Sequence, residues 1–181
     1  MNAGIIRHTD VIANIDHRTF FATPMTKLYL EELHMLHSDP DVMHFIRPPE
    51  KDLDESCYTL EEKILKYMGQ NPCFGNWVIH LRGNEGFIGW VLLKHLEDSR
   101  MIELGYRLHK KFWGKGYASE IAEAVRDHGF NTLGLNKIVG ITRPDNLGSK
   151  RVLEKIGMVH KRQDHFFDQE VSFFEIINPS L

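Results

Sequence analysis

The sequence has few of the features that define several specialised protein classes. Its 181 residues include only two cysteines, Cys57 and Cys73, which form neither a CxxC motif nor a metal-ligand pair. Both are therefore predicted to be free thiols in a reducing cytosol. No apolar run approaches the roughly 20 residues that span a bilayer, and the N-terminal stretch does not have the pattern of a signal peptide. These absences predict a cytoplasmic protein that does not insert into a membrane.

An excess of charge of one sign is also absent. The formal net charge is −3, so the chain lacks the basic surface that nucleic-acid binding requires. The eleven histidines include one pair a helical turn apart, His34 and His37, with His44 nearby. No HExxH motif and no third ligand at a suitable spacing accompanies them. We therefore predict no nucleic-acid partner and no metal, and we expect these imidazoles to be at the surface or partly buried.

What is present is an ordinary globular composition. Hydrophobic residues make up 42% of the chain and charged residues 26%, which suits one domain with its own core. No internal repeat, low-complexity tract or linker divides the sequence. We predict a single domain over residues 19–181, preceded by an extension over residues 1–18. The extension could be an added segment, an oligomer arm or a lid, and a homodimer stays open.

Strand and helix patterns alternate along this domain. Helices are expected from Tyr29, after Asp39 as N-cap, from Thr59 with capping-box spacing to Glu62, after Gly116 and from about Asn146. Strand patterns occupy residues 19–25, 76–82, 87–96, 101–108, 137–142, 158–162 and 171–177, with a polar loop between the last two. The order predicts an α/β (α+β) fold, with a mixed central sheet of about seven strands and helices on both faces.

One glycine-rich stretch, KKFWGKGYASE at residues 110–120, lies at a predicted strand-to-helix turn. Gly114 and Gly116 let the backbone approach a ligand closely, Lys115 adds a cation, and Ala118 keeps the first helical turn slim. Because a helix N-terminus presents unpaired N–H groups and a positive dipole end, the stretch could hold phosphate oxygens. It matches neither a P-loop nor a complete GxGxxG. Taken alone, it is equally compatible with a plain glycine turn.

A second motif, NLGSKRVLEKIGM at residues 146–158, follows after the next strand. With the first, it resembles the GNAT superfamily of acetyl-CoA-dependent N-acyltransferases, over roughly residues 19–177. The pyrophosphate loop of that family falls on residues 113–118. The family's second pattern falls on Asn146, Ser149, Glu154, Lys155, Gly157 and Met158. HSDPDVM, at residues 37–43, and WGKGYASE resemble the branch that acetylates the N-termini of ribosomal proteins.

The resemblance implies a GNAT fold, acetyl-CoA as co-substrate and a set of residues that bind it. Backbone amides of the loop would bind the pyrophosphate, and the backbone of Leu108 would pair with the pantetheine arm. Asn146 would hydrogen-bond the pantetheine, with an N-cap as the structural alternative. Ser149 would lie near the thiol, or else be a small packing residue. The cofactor-binding set is Leu108, Trp113, Gly114, Lys115, Gly116, Tyr117, Ala118 and Asn146.

The implied chemistry is direct attack of a neutral amine on the acetyl thioester. Glu103, in the strand that would end at the acetyl group, is our candidate general base, and a carboxylate paired with a neighbouring cation is the alternative. Some branches carry a tyrosine that protonates the leaving thiolate, but this chain has Leu153 at that position. Ser149 or water would then have to donate the proton. Glu103 and Ser149 are therefore the candidate catalytic residues.

Three functions remain open for such a chain. It could acetylate the N-terminal α-amino group of a protein, or a small amine such as an aminoglycoside, polyamine or amino acid. It could also bind acyl-CoA without turnover. We expect the acceptor site between residues 29–49 and the polar loop 160–170, where Asp164, Asp168 and Glu170 could attract a cationic amine or simply be solvated. A protein acceptor predicts an open groove, whereas a small amine predicts an enclosed acidic pocket.

Overall fold

The computed structural model describes residues 13–180, apart from the side chains of residues 84 and 85. They form one eight-stranded sheet with the strand order β1-β2-β3-β4-β5-β6-β8-β7. The strands are β1 (Ile15–Asp16), β2 (Phe20–Pro24), β3 (Gly75–Leu81), β4 (Asn84–His95), β5 (Ile102–Leu108), β6 (Lys137–Thr142), β7 (Val159–Phe166) and β8 (Gln169–Ile177). The mixed sheet predicted from the sequence is confirmed, with one strand more than expected.

Helices cover both faces of this sheet, as predicted. They are α1 (Leu30–His37), α2 (Pro40–Met43), α3 (Leu53–Tyr58), α4 (Lys66–Gln70), α5 (Tyr117–Asn131) and α6 (Leu147–Lys155), with a π-helical segment at Thr59–Leu65 and short 3-10 turns at Lys27–Tyr29 and Lys110–Phe112. One core cluster packs α5 and α6 against one face, and a second packs α1 and the π-helical segment against the other. No helix among residues 13–180 is long and apolar enough to cross a membrane.

The additional strand is β1, which lies inside the segment that the sequence assigned to an extension. Ile15 pairs with Ala22 and Asp16 with Phe21 in antiparallel register. The Ile15 side chain is buried in the larger core cluster. Two residues are too few for alternation to be recognised, and only the pairing partner makes them a strand.

The predicted start of the third helix was wrong. The helix begins at Leu53, where the Asp52 side chain accepts a hydrogen bond from the Glu55 amide at 3.0 Å. Thr59 lies inside the continuing helical segment, and its hydroxyl donates to Glu50 Oε1 at 2.7 Å. The predicted Asp39 cap is confirmed, since its side chain accepts from the Asp41 amide at 2.9 Å. Both caps are aspartates, which accept this bond well.

The prediction of a polar loop over residues 160–170 was also wrong, because the strands predicted on either side of it continue to a short turn. These residues form the β7–β8 hairpin, whose turn places Phe167 and Asp168 at φ values of +53° and +56°. β7 is the last strand of the sheet, and most of its residues are exposed. An exposed edge strand tolerates charged side chains on both faces, so its sequence reads as a loop.

The feature that positions the site is a gap in the middle of the sheet. Every strand pair is antiparallel except β5 with β6, which run parallel. Their register contains one residue pair in the described chain, Glu103 with Val139. Beyond that pair β5 continues to Leu108 along β4, while β6 continues to Thr142 along β8. The two strands therefore part, and the backbone edge of β5 lies open.

Candidate active site

A cavity of about 500 Å³ lies at the gap between β5 and β6. Its lining includes Trp90 and Leu92, which belong to the core on the α1 side of the sheet. It also includes Leu104 and Leu153, which belong to the core on the α5 and α6 side. Because members of both cores line it, the cavity passes through the plane of the sheet. Two molecules could thus meet there from opposite faces.

The glycine loop lies between β5 and α5. Gly114 and Gly116 have φ values of +71° and +87°, and a Cβ added at either would meet nothing within 4 Å. The loop from Trp113 to Gly116 is exposed, and no side chain caps the helix that follows. The first N–H groups of α5 therefore have no partner within the helix. This geometry fits a pyrophosphate, which needs close backbone approach and free N–H donors.

The side chains of the loop have structural contacts of their own. The Trp113 indole donates to the Leu108 carbonyl oxygen at 2.8 Å, and Tyr117 packs edge-on against Phe112. The Lys115 ammonium lies 5.9 Å from the centroid of the same phenylalanine ring. Trp113 and Tyr117 thus shape the loop, and the loop offers its backbone to a ligand. Ala118 is small and partly buried against the core.

Leu108 lies on the open edge of β5. The His109 amide donates to Ile88 in β4 at 3.0 Å, so the neighbouring residue Leu108 directs its backbone groups the other way, into the gap. The same alternation places the backbone of Tyr106 on this edge. The Trp113 indole already donates to the Leu108 carbonyl oxygen. The Leu108 N–H and the backbone groups of Tyr106 remain to form hydrogen bonds with an extended ligand. This arrangement fits the amides of a pantetheine chain.

Asn146 and Ser149 lie together at the start of α6. The Asn146 Oδ1 accepts from the Ser149 amide at 3.0 Å, so this side chain does act as the N-cap. Its amide nitrogen remains able to donate into the cavity, which both residues line. The phenol of Tyr106 donates to Ser149 Oγ across a long 3.5 Å contact. Burial raises the pKa of Tyr106, so the phenol keeps its proton at neutral pH.

Sequence reasoning missed Tyr106, although a signal was available. In the strand MIELGYRL, side chains alternate between faces, so Tyr106 and Glu103 occupy opposite faces of the sheet. The pattern therefore placed a second polar group in the same strand, on the opposite face from Glu103.

Glu103 lies where the two strands part, and it lines the cavity. Burial raises the pKa of its carboxyl; Lys94, opposite it in β4, partly offsets that effect. Lys94 forms no ion pair with Glu103 within 4 Å, and its ammonium instead lies 5.6 Å from the centroid of the Phe167 ring. A partly desolvated carboxylate without a fixed ion-pair partner is suited to accepting a proton.

The side of the cavity that is expected to hold the acceptor, called the acceptor side, combines predicted and unpredicted elements. The segment after α2 and the β7–β8 turn both line it, through Phe45 and Phe167 among others. The three acids proposed there do not line it, and Asp164 is held by Arg162. Among the described residues that line the cavity, Glu103 is the one carboxylate. The cations in that lining are Arg47, Lys94, Arg107 and Arg143.

The histidine pair has other partners than a metal. His34 Nδ1 lies 2.9 Å from Ser56 Oγ. His37 is buried between Glu50 and Trp90, at 3.0 Å and 3.1 Å. Among residues 13–180 no three His, Cys, Asp or Glu side chains come together as metal ligands would. Both cysteines are free thiols.

Solved structures share this fold. An acetyltransferase of the GNAT family from Bacillus anthracis superposes with a TM-score of 0.77 at 24% identity, covering 92% of this chain and 99% of that one. A spermidine N-acetyltransferase from Vibrio cholerae, in complex with CoA and spermine, gives 0.73 at 21%, covering 90% and 97%. RimL, a ribosomal L7/L12 α-N-protein acetyltransferase in complex with CoA, gives 0.76 at 16%, covering 91% and 98%.

Sequence comparisons agree with these structures. YnaD of Bacillus subtilis, an uncharacterized N-acetyltransferase, is 31% identical over 133 residues, which cover 72% of this chain and 71% of that protein. YkkB of the same organism is 28% identical over 144 residues, covering 78% and 81%. The family model of the acetyltransferase (GNAT) domain matches residues 20–159. The chain therefore belongs to the GNAT family of N-acetyltransferases, enzymes that use acetyl-CoA as co-substrate.

Proposed function

We propose that this enzyme acetylates the α-amino group at the N-terminus of a peptide or protein. The observation that carries the proposal is a second cavity of about 410 Å³, which shares Ile46, Arg47, Arg143 and Gln169 with the first. Exposed residues such as His44 line its outer part. We call the 500 Å³ cavity the inner cavity and the 410 Å³ cavity the outer cavity. If the α-amine of a peptide lies in the inner cavity, the residues that follow it would lie in the outer cavity.

The charges along the inner cavity support an α-amine over a polycation. Four cationic side chains line it beside the one carboxylate of Glu103. A polyamine or an aminoglycoside would bring several positive charges against them, and like charges placed side by side cost several kcal/mol. A peptide N-terminus brings a single amine. The ribosomal-protein branch suggested by residues 37–43 and the WGKGYASE motif agrees with this choice.

The residues of the cavity divide the work of the transfer. Acetyl-CoA supplies the thioester, and the attacking amine must be neutral. An α-amino group has a pKa near ~8, so it needs only modest help to lose its proton. Glu103 can take that proton directly or through one water molecule. On the other face, Ser149 and the Tyr106 phenol can supply a proton to the departing thiolate.

Steady-state kinetics with an acceptor series tests the proposal. The series comprises a dipeptide, a tetrapeptide and a hexapeptide with the same first residue, together with spermidine and an aminoglycoside. If the outer cavity holds the residues that follow the amine, KM falls as the peptide lengthens while kcat stays nearly constant. Peptides should exceed both polycations in kcat/KM. A higher kcat/KM for either polycation, with no effect of peptide length, would reject the proposal.

A further inference from the structure

Arg107 is a buried cation that lines the acceptor side of the inner cavity, called the acceptor cavity below. Its side chain projects from β5 on the same face as Trp90, with the guanidinium carbon 4.8 Å from the centroid of that ring. The residue is only 9% exposed. Nη1 donates to Met43 Sδ at 3.2 Å, a weak acceptor. Nε is buried and has no hydrogen-bond partner among the described residues.

No carboxylate of the described chain neutralises this cation by direct contact. Glu50 is nearby, but its two oxygens already accept from His37, Arg47, Thr59 and Ser56. Burial and the neighbouring Arg47 lower the pKa of Arg107 to about 9, which still leaves it charged at neutral pH. A buried charge without a partner is costly, so a ligand that supplies the missing acceptor gains what the protein alone lacks.

A hydrogen-bonded chain holds the ring that supports Arg107. Trp90 Nε1 donates to His37 Nε2 at 3.1 Å, so the His37 proton lies on Nδ1, which donates to Glu50 at 3.0 Å. Burial lowers the pKa of His37 to about 4, despite the bond to Glu50, so the imidazole stays neutral. The guanidinium therefore rests on a fixed surface. A fixed donor binds a planar anion with little loss of side-chain entropy.

We propose that Arg107 is a carboxylate-binding subsite of the acceptor cavity, selecting amines that carry a carboxylate a few bonds away. The inference rests on the proposed function, in that the amine acceptor occupies this cavity. The carboxylate has two possible sources with the same chemistry: an acidic side chain close to a peptide N-terminus, or the α-carboxylate of a free amino acid. A guanidinium can bind either through two parallel hydrogen bonds.

The spacing along β5 fits an acceptor held at both ends. Glu103, Gly105 and Arg107 alternate onto one face of the strand, so the first and last Cα atoms lie about 13 Å apart at ~3.3 Å per residue. Both outer side chains are long enough to reach inward over Gly105. A Cβ at Gly105 would come within 3.3 Å of Leu92 and 3.7 Å of Glu103 Oε1. Glycine at this position keeps the space between base and guanidinium open.

Matched acceptors test the subsite. One pair is a tripeptide amide with aspartate or asparagine in second position, and the other is a free amino acid and its α-amide. We expect the wild type to prefer the acid of at least one pair. Arg107→Met should remove that preference by lowering kcat/KM for the acid about tenfold or more, since a hydrogen bond between charged groups is lost. Arg107→Lys should retain part of it, because an ammonium keeps the charge without the fork.

Arg143→Met is the matched control. It removes the same charge from the same cavity, but Arg143 is half-exposed and lies beside Asp145. It should change kcat/KM for acid and amide by the same factor. The thermal shift that CoA produces verifies that each variant is folded. If Arg107→Met does not fold, the wild-type preference and Arg107→Lys still decide.

The possible outcomes separate the two proposals. An absent preference in the wild type, or one that survives Arg107→Met, overturns the subsite, even if peptides are good substrates. An equal loss of kcat for acid and amide overturns it too, because Arg107 would then stabilise charge on the acetyl group. An Arg107-dependent preference among free amino acids, with no turnover of peptides, supports the subsite and rejects the peptide N-terminus.

Discussion

The two sides of the cavity between β5 and β6 present different chemical groups, backbone amides on one side and side chains on the other. On the side that we propose binds acetyl-CoA, called the co-substrate side, an exposed loop presents backbone N–H groups at the start of α5, and two glycines in the left-handed region shape it. On the acceptor side, buried side chains from separate elements are arranged around Trp90 and Arg107. The first side depends on local backbone conformation and the second on tertiary packing. The two should therefore respond to substitution in different ways.

The largest expected effect is a loss of CoA affinity on the co-substrate side. Gly116→Glu places a Cβ at a φ of +87° and a carboxylate where a pyrophosphate would bind. Like-charge contact costs several kcal/mol, so CoA affinity in calorimetric titration should fall more than about a hundredfold. Gly134→Glu is a matched control, because Gly134 also has a positive φ of +66° and open space around its Cβ. It should cost stability but leave CoA affinity intact. Comparable losses in both variants would reject the loop as the pyrophosphate site.

Glu103→Gln tests the boundary between the two sides. If Glu103 is the general base, kcat should fall about a hundredfold, the scale of general-base catalysis. CoA affinity should not change, because the substitution leaves the loop and the open edge of β5 intact. Rapid-quench or coupled assays of acetyl transfer measure the first quantity and calorimetry the second. Full retained activity would leave Glu103 as a structural carboxylate.

This contrast also explains how much the sequence could predict. The glycine loop, the Asn146 cap and the strand carrying Glu103 are short patterns, and each lies in the predicted element. The aromatic and cationic residues of the acceptor side come from α1, β4 and β5, and no local pattern relates His37 to Trp90. Both strands of the β7–β8 hairpin were predicted, but their extension through residues 163–170 was missed for a related reason, since an edge strand with exposed faces has no apolar alternation.

A proton donor on the co-substrate side should have a smaller effect than the base. Tyr106→Phe removes the hydroxyl that contacts Ser149 while keeping the ring. If the phenol and Ser149 protonate the leaving thiolate together, kcat should fall about tenfold, below the usual range for a single general acid because a thiolate is a good leaving group. Ser149→Ala should cause a similar loss, and the double variant should lose little more. Additive losses would show that the two hydroxyls act separately.

The pH dependence of turnover examines the acceptor side through Lys94. Burial raises the pKa of Glu103, and Lys94 partly offsets this. The base form is therefore lost as the pH falls through that raised value, and kcat/KM should decline on the acid side. Lys94→Met removes the offset, so the decline should begin at a higher pH. The substrate amine, with its pKa near ~8, adds an acid limb of its own in every variant, so Glu103→Gln should keep that limb and lose only the one that Lys94→Met moves. A limb that is the same in all three proteins belongs to another group.

The smallest effects are expected from a pair of tryptophan substitutions, one on each side of the cavity, and they concern stability and CoA affinity. Trp90→Phe and Trp113→Phe both delete one indole N–H, which donates to His37 Nε2 in the first case and to the Leu108 carbonyl in the second. Trp90 is 7% exposed, whereas Trp113 is 44% exposed. A buried acceptor left without its donor costs about 1–3 kcal/mol. Leu108 itself is only 3% exposed, but its carbonyl lies under the half-exposed Trp113 and can bond to water once the indole N–H is gone.

Urea unfolding should therefore show a loss of about 1–3 kcal/mol for Trp90→Phe and about 0.5 kcal/mol or less for Trp113→Phe. The free energies would contradict the comparison if the two losses were equal. For CoA affinity the order of the two variants should reverse, with the larger change in Trp113→Phe. Trp113→Phe frees the Leu108 carbonyl on the open edge of β5 and should alter CoA affinity. Trp90→Phe keeps a ring beneath Arg107 and should leave CoA affinity unchanged, because its indole N–H stabilises the fold on the acceptor side alone.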